Sequence, residues 1–80
     1  MSYHIRKIDK GILGHISKVQ EELHEYEDAM EQGSTIMAAV ELSDLYGALE
    51  AVAEKHNLTM DDLKKMAHIT KRAFQSGHRK

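Results

Sequence analysis

The sequence predicts an all-α fold of three main helices in one domain that spans residues 1–80, completed as a helical bundle by oligomerisation. The chain contains no proline, and five glycines are too few to interrupt most of its length. Its apolar residues recur every three or four positions, which is the spacing of one helix face. A chain of 80 residues with four aromatic side chains builds a thin core, so we expect association with further copies.

The first helix is predicted from about Ile12 to Gln32. An apolar stripe repeats at steps of four and three residues along it, formed by Ile12, Ile16, Val19, Leu23, Tyr26 and Met30. Gly33 is typical of a left-handed C-terminal stop, and Ser34 is typical of an N-cap, so a tight turn leads directly into the second helix.

The second helix carries an apolar stripe and further apolar residues on its other sides, which predicts a central helix enclosed by neighbours. The stripe consists of Ala38, Leu42, Leu45, Leu49 and Val52. His56 and Asn57 are expected to close this helix, and Thr59 with Asp62 forms a capping box for a third helix that runs to Gly77. Residues 1–11 form an N-terminal arm whose structure the pattern does not define.

Composition excludes several functional classes. The absence of cysteine removes disulfides and thiolate metal sites, and a net charge of −2 does not favour a nucleic-acid polymer as partner. No apolar run approaches the roughly 20 residues that span a bilayer, and no signal-peptide pattern occurs, so we expect a cytoplasmic protein with no membrane contact. The chain has no Walker loop, GxGxxG motif or nucleophile elbow.

The acidic residues are concentrated in the first two helices. Ten of the 13 lie between Val19 and Glu54, a stretch without any Lys or Arg. Helices normally relieve such charge through pairs of opposite sign four residues apart, so this pattern indicates either another counter-ion, such as a bound cation, or a solvated acidic face.

Four of these acids occupy matching positions. With Leu23 and Leu42 at heptad position a, their flanks carry Glu22 and Glu25 on one helix and Glu41 and Asp44 on the other, each at positions g and c. Counted from Gly33, Glu25 and Glu41 lie 8 residues away, and Glu22 and Asp44 lie 11 residues away. At about 1.5 Å per residue, antiparallel packing across the apolar stripes places the four carboxylates beside one cleft as two facing pairs.

Carboxylates that converge in this way repel one another unless a cation joins them. An all-oxygen set without cysteine suits Mg²⁺, with Mn²⁺ as a possible substitute. Glu21 lies one position off this flank, where it is expected to support the metal ligands from behind, to accept a proton from water, or to be exposed.

These residues resemble a known family. The segment Glu21-Glu22-Leu23-His24-Glu25, followed by Glu41-Leu42-Ser43-Asp44, is similar to the EExxE and ExxD motifs of the MazG-like all-α nucleoside triphosphate pyrophosphohydrolases. The resemblance covers about Ile12 to Arg79. It implies that the four carboxylates bind Mg²⁺, and that a nucleoside triphosphate or related nucleotide is hydrolysed to the monophosphate and pyrophosphate.

The same resemblance implies a homodimer or homotetramer with a role in cleaning the nucleotide pool. It also implies basic residues near the end of the conserved helices that contact substrate phosphate, a region that holds Lys71, Arg72 and Arg79. Phosphoribosyl-ATP or dUTP is an alternative substrate within the superfamily.

Two alternatives come from other classes of protein. One is a non-catalytic helical interaction module whose acidic groove binds a basic partner. The other is a di-iron bundle, because Glu21 and His24 form an ExxH pair, although such sites need a second pair and further glutamates. The remaining histidines have no ligand-like spacing and are predicted to lie on the surface.

Overall fold

The computed structural model describes residues 4–75 and contains three helices: α1 (Ile16–Glu31), α2 (Thr35–Lys55) and α3 (Met60–Gln75). No strand occurs within these residues, so the predicted all-α class is confirmed. None of the three helices combines the length and apolar character that a membrane crossing requires. Tyr3 and Gly77 lie outside the described residues.

The predicted turns and caps are largely confirmed. Gly33 has a φ of 71°, in the region that glycine adopts without strain, and Ser34 Oγ accepts a hydrogen bond from Met37 N at 3.1 Å. Thr59 and Asp62 exchange backbone and side-chain hydrogen bonds of 2.9 and 3.1 Å, which is a capping box. The sequence signals at the helix ends therefore correctly predicted the short connections between the three helices.

The first helix begins four residues later than predicted. Residues 13–14 form a turn, and Gly14 has a φ of 90°, a backbone conformation that a right-handed helix does not contain. The residue before the helix is His15, which is extended and makes no side-chain cap. The prediction began the helix at Ile12 because it followed the apolar spacing, and this spacing gives no information about the positive φ of Gly14.

The helices α1 and α2 form a hairpin, but the surface between them is not the predicted one. The buried residues of the two helices are small or acidic: Glu21, Glu22, Asp28 and Ala29 on α1, and Ala38, Glu41, Ala48 and Ala53 on α2. In contrast, Leu23 and Leu42 are 44% and 50% exposed, whereas Val19, Leu45 and Val52 are half-buried. The seam therefore lies beside the predicted apolar stripes rather than along their centre.

The physical reason is the small size of the alanine side chains in the seam between the two helices. Ala29, Ala38 and Ala48 allow the two helix backbones to approach closely, whereas the leucines are one position away from this seam. A hairpin of two helices covers only one stripe per helix. Leu23, Leu42 and Leu49 are therefore left exposed.

The third helix does not enclose α2, so the prediction that α2 is a central helix was also wrong within the described residues. Extensive helix–helix packing joins α1 to α2, while α3 contains no buried residue. Apolar side chains of α3, among them Ile69 and Phe74, are 67% and 49% exposed.

Residues 4–11 of the N-terminal arm lie along α1, and a buried carboxylate holds them there. Asp28 is fully buried, and its Oδ2 accepts hydrogen bonds from the backbone N–H groups of Ile5 and Arg6 at 2.9 and 2.7 Å. Arg6 also pairs with Glu27 and Glu31 on the surface of α1. The arm thus places the charge of Arg6 and the ring of His4 against the acidic helix α1.

Candidate metal centre

The structure brings together the four acids that the sequence placed at matched depth. Glu22 and Glu25 of α1 and Glu41 and Asp44 of α2 each offer one carboxylate oxygen, and these four oxygens lie within 4.8 Å of one another. We call these four residues the carboxylate cluster. Because their helices meet at the turn around Gly33, equal distances along the chain place the two pairs side by side.

The cluster lies inside the hairpin rather than beside it. Glu41 is fully buried, Glu22 is 5% exposed, and Asp44 alone is on the exposed side. Carboxylates taken out of water in this way strongly disfavour a second or third negative charge.

Electrostatic repulsion is visible in two pKa values. Burial, hydrogen bonds with Glu41 and Glu22, and the charges of these two neighbours raise the pKa of Glu25 to about 8. Burial and the same two neighbours also raise the pKa of Asp44. Without a cation, the cluster therefore retains a proton near neutral pH.

One counter-ion comes from the chain itself. Lys18 Nζ lies 3.1 Å from Glu22 Oε1 and 3.2 Å from Glu21 Oε1. The hydrogen bond with Glu22 is the largest of the effects that raise the pKa of Lys18. Sequence reasoning missed this pair because the stretch without basic residues begins one position later, at Val19, although a spacing of four residues could have revealed it.

Glu21 belongs to a different set of contacts. Its Oε1 accepts a hydrogen bond from Gly11 N at 2.7 Å and lies beside Lys18, while Lys10 lies 3.8 Å from its Oε2. Burial would raise the pKa of Glu21, but these contacts outweigh burial and lower it. Glu21 joins the arm to α1 and is ionised at neutral pH; its role as a proton acceptor stays a prediction.

His4 is a residue of the site that the sequence did not reveal. Its side chain is only 10% exposed, so its assignment to the surface was wrong. The ring lies between two groups of acids, with Nε2 facing Glu25 and Glu41 and Nδ1 facing Asp28. No periodicity links His4 to the helices, and only folding of the arm brings it here.

The basic residues proposed to contact phosphate lie on or beyond α3. Lys71 and Arg72 are exposed, and neither forms an ion pair within residues 4–75. Arg79 lies outside the described residues. Their contact with substrate phosphate stays a prediction.

The donor set fits a hard divalent cation. Ligands about 2.1 Å from an octahedral ion lie roughly 3.0 Å apart when adjacent and roughly 4.2 Å apart when opposite, so oxygens within 4.8 Å need only small adjustments. In addition, no amide, hydroxyl or cationic group of the described residues donates a hydrogen bond to the buried Oε2 of Glu22. A buried carboxylate oxygen in this state is suited to a cation.

A cleft of about 510 Å³ opens beside the cluster. Glu22 and Asp44 line it together with Lys18, Ser43 and Gly47. A Cβ atom added at Gly47 would meet no atom within 4 Å, so the space beside this glycine is open. The cleft therefore combines acidic oxygens, one lysine and room for a small ligand.

Comparisons with protein-family models, curated proteins and solved structures found no match to this chain.

The raised pKa of Glu25 predicts how stability depends on pH when metal is removed by EDTA. The folded protein keeps a proton up to about pH 8, whereas the unfolded chain releases it near the ordinary value of 4.5. The unfolded state thus binds fewer protons between these values, so the free energy of unfolding falls as pH rises through this window. One group contributes at most about 1.4 kcal/mol per pH unit, measurable by urea denaturation.

Glu25→Gln should reduce this slope and should be more stable than the wild type at about pH 8, because it has no proton to lose. Glu50→Gln is the matched control, since Glu50 is exposed on α2 and should retain the wild-type slope. Equal slopes in both variants would contradict the assignment of the raised pKa to Glu25.

Proposed function

We propose that the carboxylate cluster binds Mg²⁺ and that the protein hydrolyses a nucleoside triphosphate to the monophosphate and pyrophosphate. The observation that carries the proposal is the convergence of four acids from two helices, two of them buried, at the positions of an EExxE and an ExxD segment. A cytoplasmic role in cleaning the nucleotide pool belongs to the same proposal.

In this proposal, Glu22, Glu25, Glu41 and Asp44 hold the ion, with Mn²⁺ as a substitute. When bound, Mg²⁺ neutralises charge on phosphate oxygens and lowers the pKa of coordinated water. Ionisation of the cluster, including Glu25, provides the negative charge that the cation needs.

The chain's own residues then account for binding and proton transfer. Lys18 lies in the wall of the cleft beside Glu22 and presents a cation to a phosphate chain. Glu21 is ionised and adjacent in sequence to a cluster residue, which supports its proposed role as acceptor of the proton from attacking water. Lys71, Arg72 and Arg79 are further candidates for phosphate contact, supplied from α3 or from the chain beyond it.

Assembly into a homodimer or homotetramer is proposed from the apolar residues that the hairpin leaves outside. Leu42, Tyr46 and Leu49 are spaced at one helix face of α2 and are 41–56% exposed. On α1, the side chains of Leu23 and Met30 are also exposed, at 44% and 56%. Covering such surfaces with a second copy would complete a helical bundle and bring a second set of cleft-lining residues near the first.

Sedimentation at micromolar concentration should therefore show a dimer or larger species rather than a single chain of 9.1 kDa. Leu42→Glu should shift the protein toward the monomer, because it places a charge in the proposed contact. The matched control is Glu50→Gln on the same helix, which should sediment as the wild type does. A monomeric wild type would contradict the proposal that a second copy contributes residues near the cleft.

Pyrophosphate release with Mg²⁺ tests the activity. Glu41→Gln and Asp44→Asn should each lower the rate by about 100-fold or more while helix content is retained, since each removes a proposed ligand to the ion that stabilises transition-state charge. Glu50→Gln changes the same charge on the same helix, outside the cluster, and should retain activity.

The substrate panel should include common nucleoside triphosphates, dUTP and phosphoribosyl-ATP, because the cleft does not by itself select a base. Equal rates in all three variants would contradict the proposed role of the cluster. Inactivity of the wild type toward the whole panel would favour the non-catalytic acidic interaction module.

A further inference from the structure

His4 extends the carboxylate cluster with a nitrogen donor. Its Nε2 lies 3.9 Å from Glu25 Oε1 and 3.8 Å from Glu41 Oε1, and donor atoms of these three residues all lie within 4.8 Å of one another. His4 comes from the arm, so this group contains a ligand type and a chain segment absent from the four-carboxylate set. The two groups share Glu25 and Glu41.

The second ring nitrogen of His4 faces a carboxylate that is held in place by the arm itself. Nδ1 lies 3.5 Å from Asp28 Oδ1. Asp28 is fully buried, and the N–H groups of Ile5, Arg6 and the Gln32 side chain donate hydrogen bonds to it. Asp28 is thus a fixed carboxylate beside Nδ1, and a proton on Nδ1 would leave the lone pair of Nε2 directed at Glu25 and Glu41.

The placement of the two ring nitrogens is similar to that of metal-binding histidines. In such sites, one ring nitrogen binds the ion while the other donates its proton to a carboxylate or carbonyl that fixes the ring. The separations of 3.8 and 3.9 Å are too long for hydrogen bonds, but they lie between the spacings of adjacent and opposite ligands around one ion, roughly 3.0 and 4.2 Å. Three atoms at these distances leave room for a cation between them.

We propose that Nε2 of His4 is a metal ligand, so that the end of the site between Glu25 and Glu41 binds a first-row transition ion in preference to Mg²⁺. Imidazole nitrogen binds such ions well, whereas Mg²⁺ prefers oxygen ligands. Asp28 acts as a positioning residue for His4. This inference rests on the proposed metal centre, but it makes no use of the substrate or of catalysis.

Pulsed electron paramagnetic resonance of the full chain with one equivalent of Mn²⁺ tests the proposal, because a directly bound imidazole gives a ¹⁴N coupling. The wild type should show this coupling. His4→Gln should lose it and bind Mn²⁺ at least about tenfold more weakly, with a change of less than about threefold for Mg²⁺. His24→Gln, which removes an exposed histidine of α1, should match the wild type.

A second variant separates a ligand from a merely structural contact. His4→Glu replaces the nitrogen by oxygen and should lose the ¹⁴N coupling while binding Mg²⁺ at least as tightly as the wild type. Absence of coupling in the wild type, or its retention in His4→Gln, would overturn the proposal. Equal weakening of Mn²⁺ and Mg²⁺ in both His4 variants would overturn it too, since the histidine would then only hold the fold.

Failure of this inference is distinct from failure of the proposed function. Mn²⁺ binding without ¹⁴N coupling, together with pyrophosphate release, would refute the role of His4 and leave the activity intact. Coupling in a protein that hydrolyses no nucleotide would support His4 as a ligand and refute the activity. A wild type that binds no Mn²⁺ would overturn the role of His4.

Discussion

The rest of the structure depends on the burial of acidic side chains in the seam between α1 and α2. Buried carboxylates cost free energy unless a proton, a cation or a hydrogen-bond donor compensates each one. The chain compensates part of this cost: Lys18 lies against Glu22, and the backbone N–H groups of Ile5 and Arg6 donate hydrogen bonds to Asp28. The raised pKa of Glu25 shows that this compensation is incomplete in the absence of a cation.

The acidic seam also determines what is exposed. Alanines beside the acids bring the helices close, so the larger apolar residues, such as Leu23 and Leu42, are turned outward. A hairpin with acidic residues in its seam gains little from its own core, because alanines are the only buried apolar residues within residues 4–75. The seam that gathers the carboxylates therefore also leaves apolar residues exposed, and this physical link connects the proposed cation site with the proposed assembly.

Sequence reasoning identified the helix connections and the meeting of the four acids for a clear reason. Gly33 and Ser34 specify a short turn by backbone chemistry, and a short turn converts equal chain distance into equal depth. The choice of seam was not predictable from apolar spacing, because Leu23 outweighs Ala29 on any hydrophobic measure while small size decides close packing. His4 was missed because its place depends on a long-range contact with Asp28, which leaves no periodic trace in the sequence.

The central claim is that the carboxylate cluster is a cation site, and thermal unfolding with millimolar Mg²⁺ and with EDTA tests it most directly. A cation that binds four converged carboxylates of the folded state, but not the unfolded chain, must raise the melting temperature by mass action. The measurement belongs about one pH unit above the pKa of Glu25, which is about 8, because Glu25 is then mostly ionised and its proton competes little with the cation. The account predicts a higher melting temperature with Mg²⁺ in the wild type and a much smaller difference in Asp44→Asn. Equal melting temperatures with Mg²⁺ and EDTA in the wild type would contradict it.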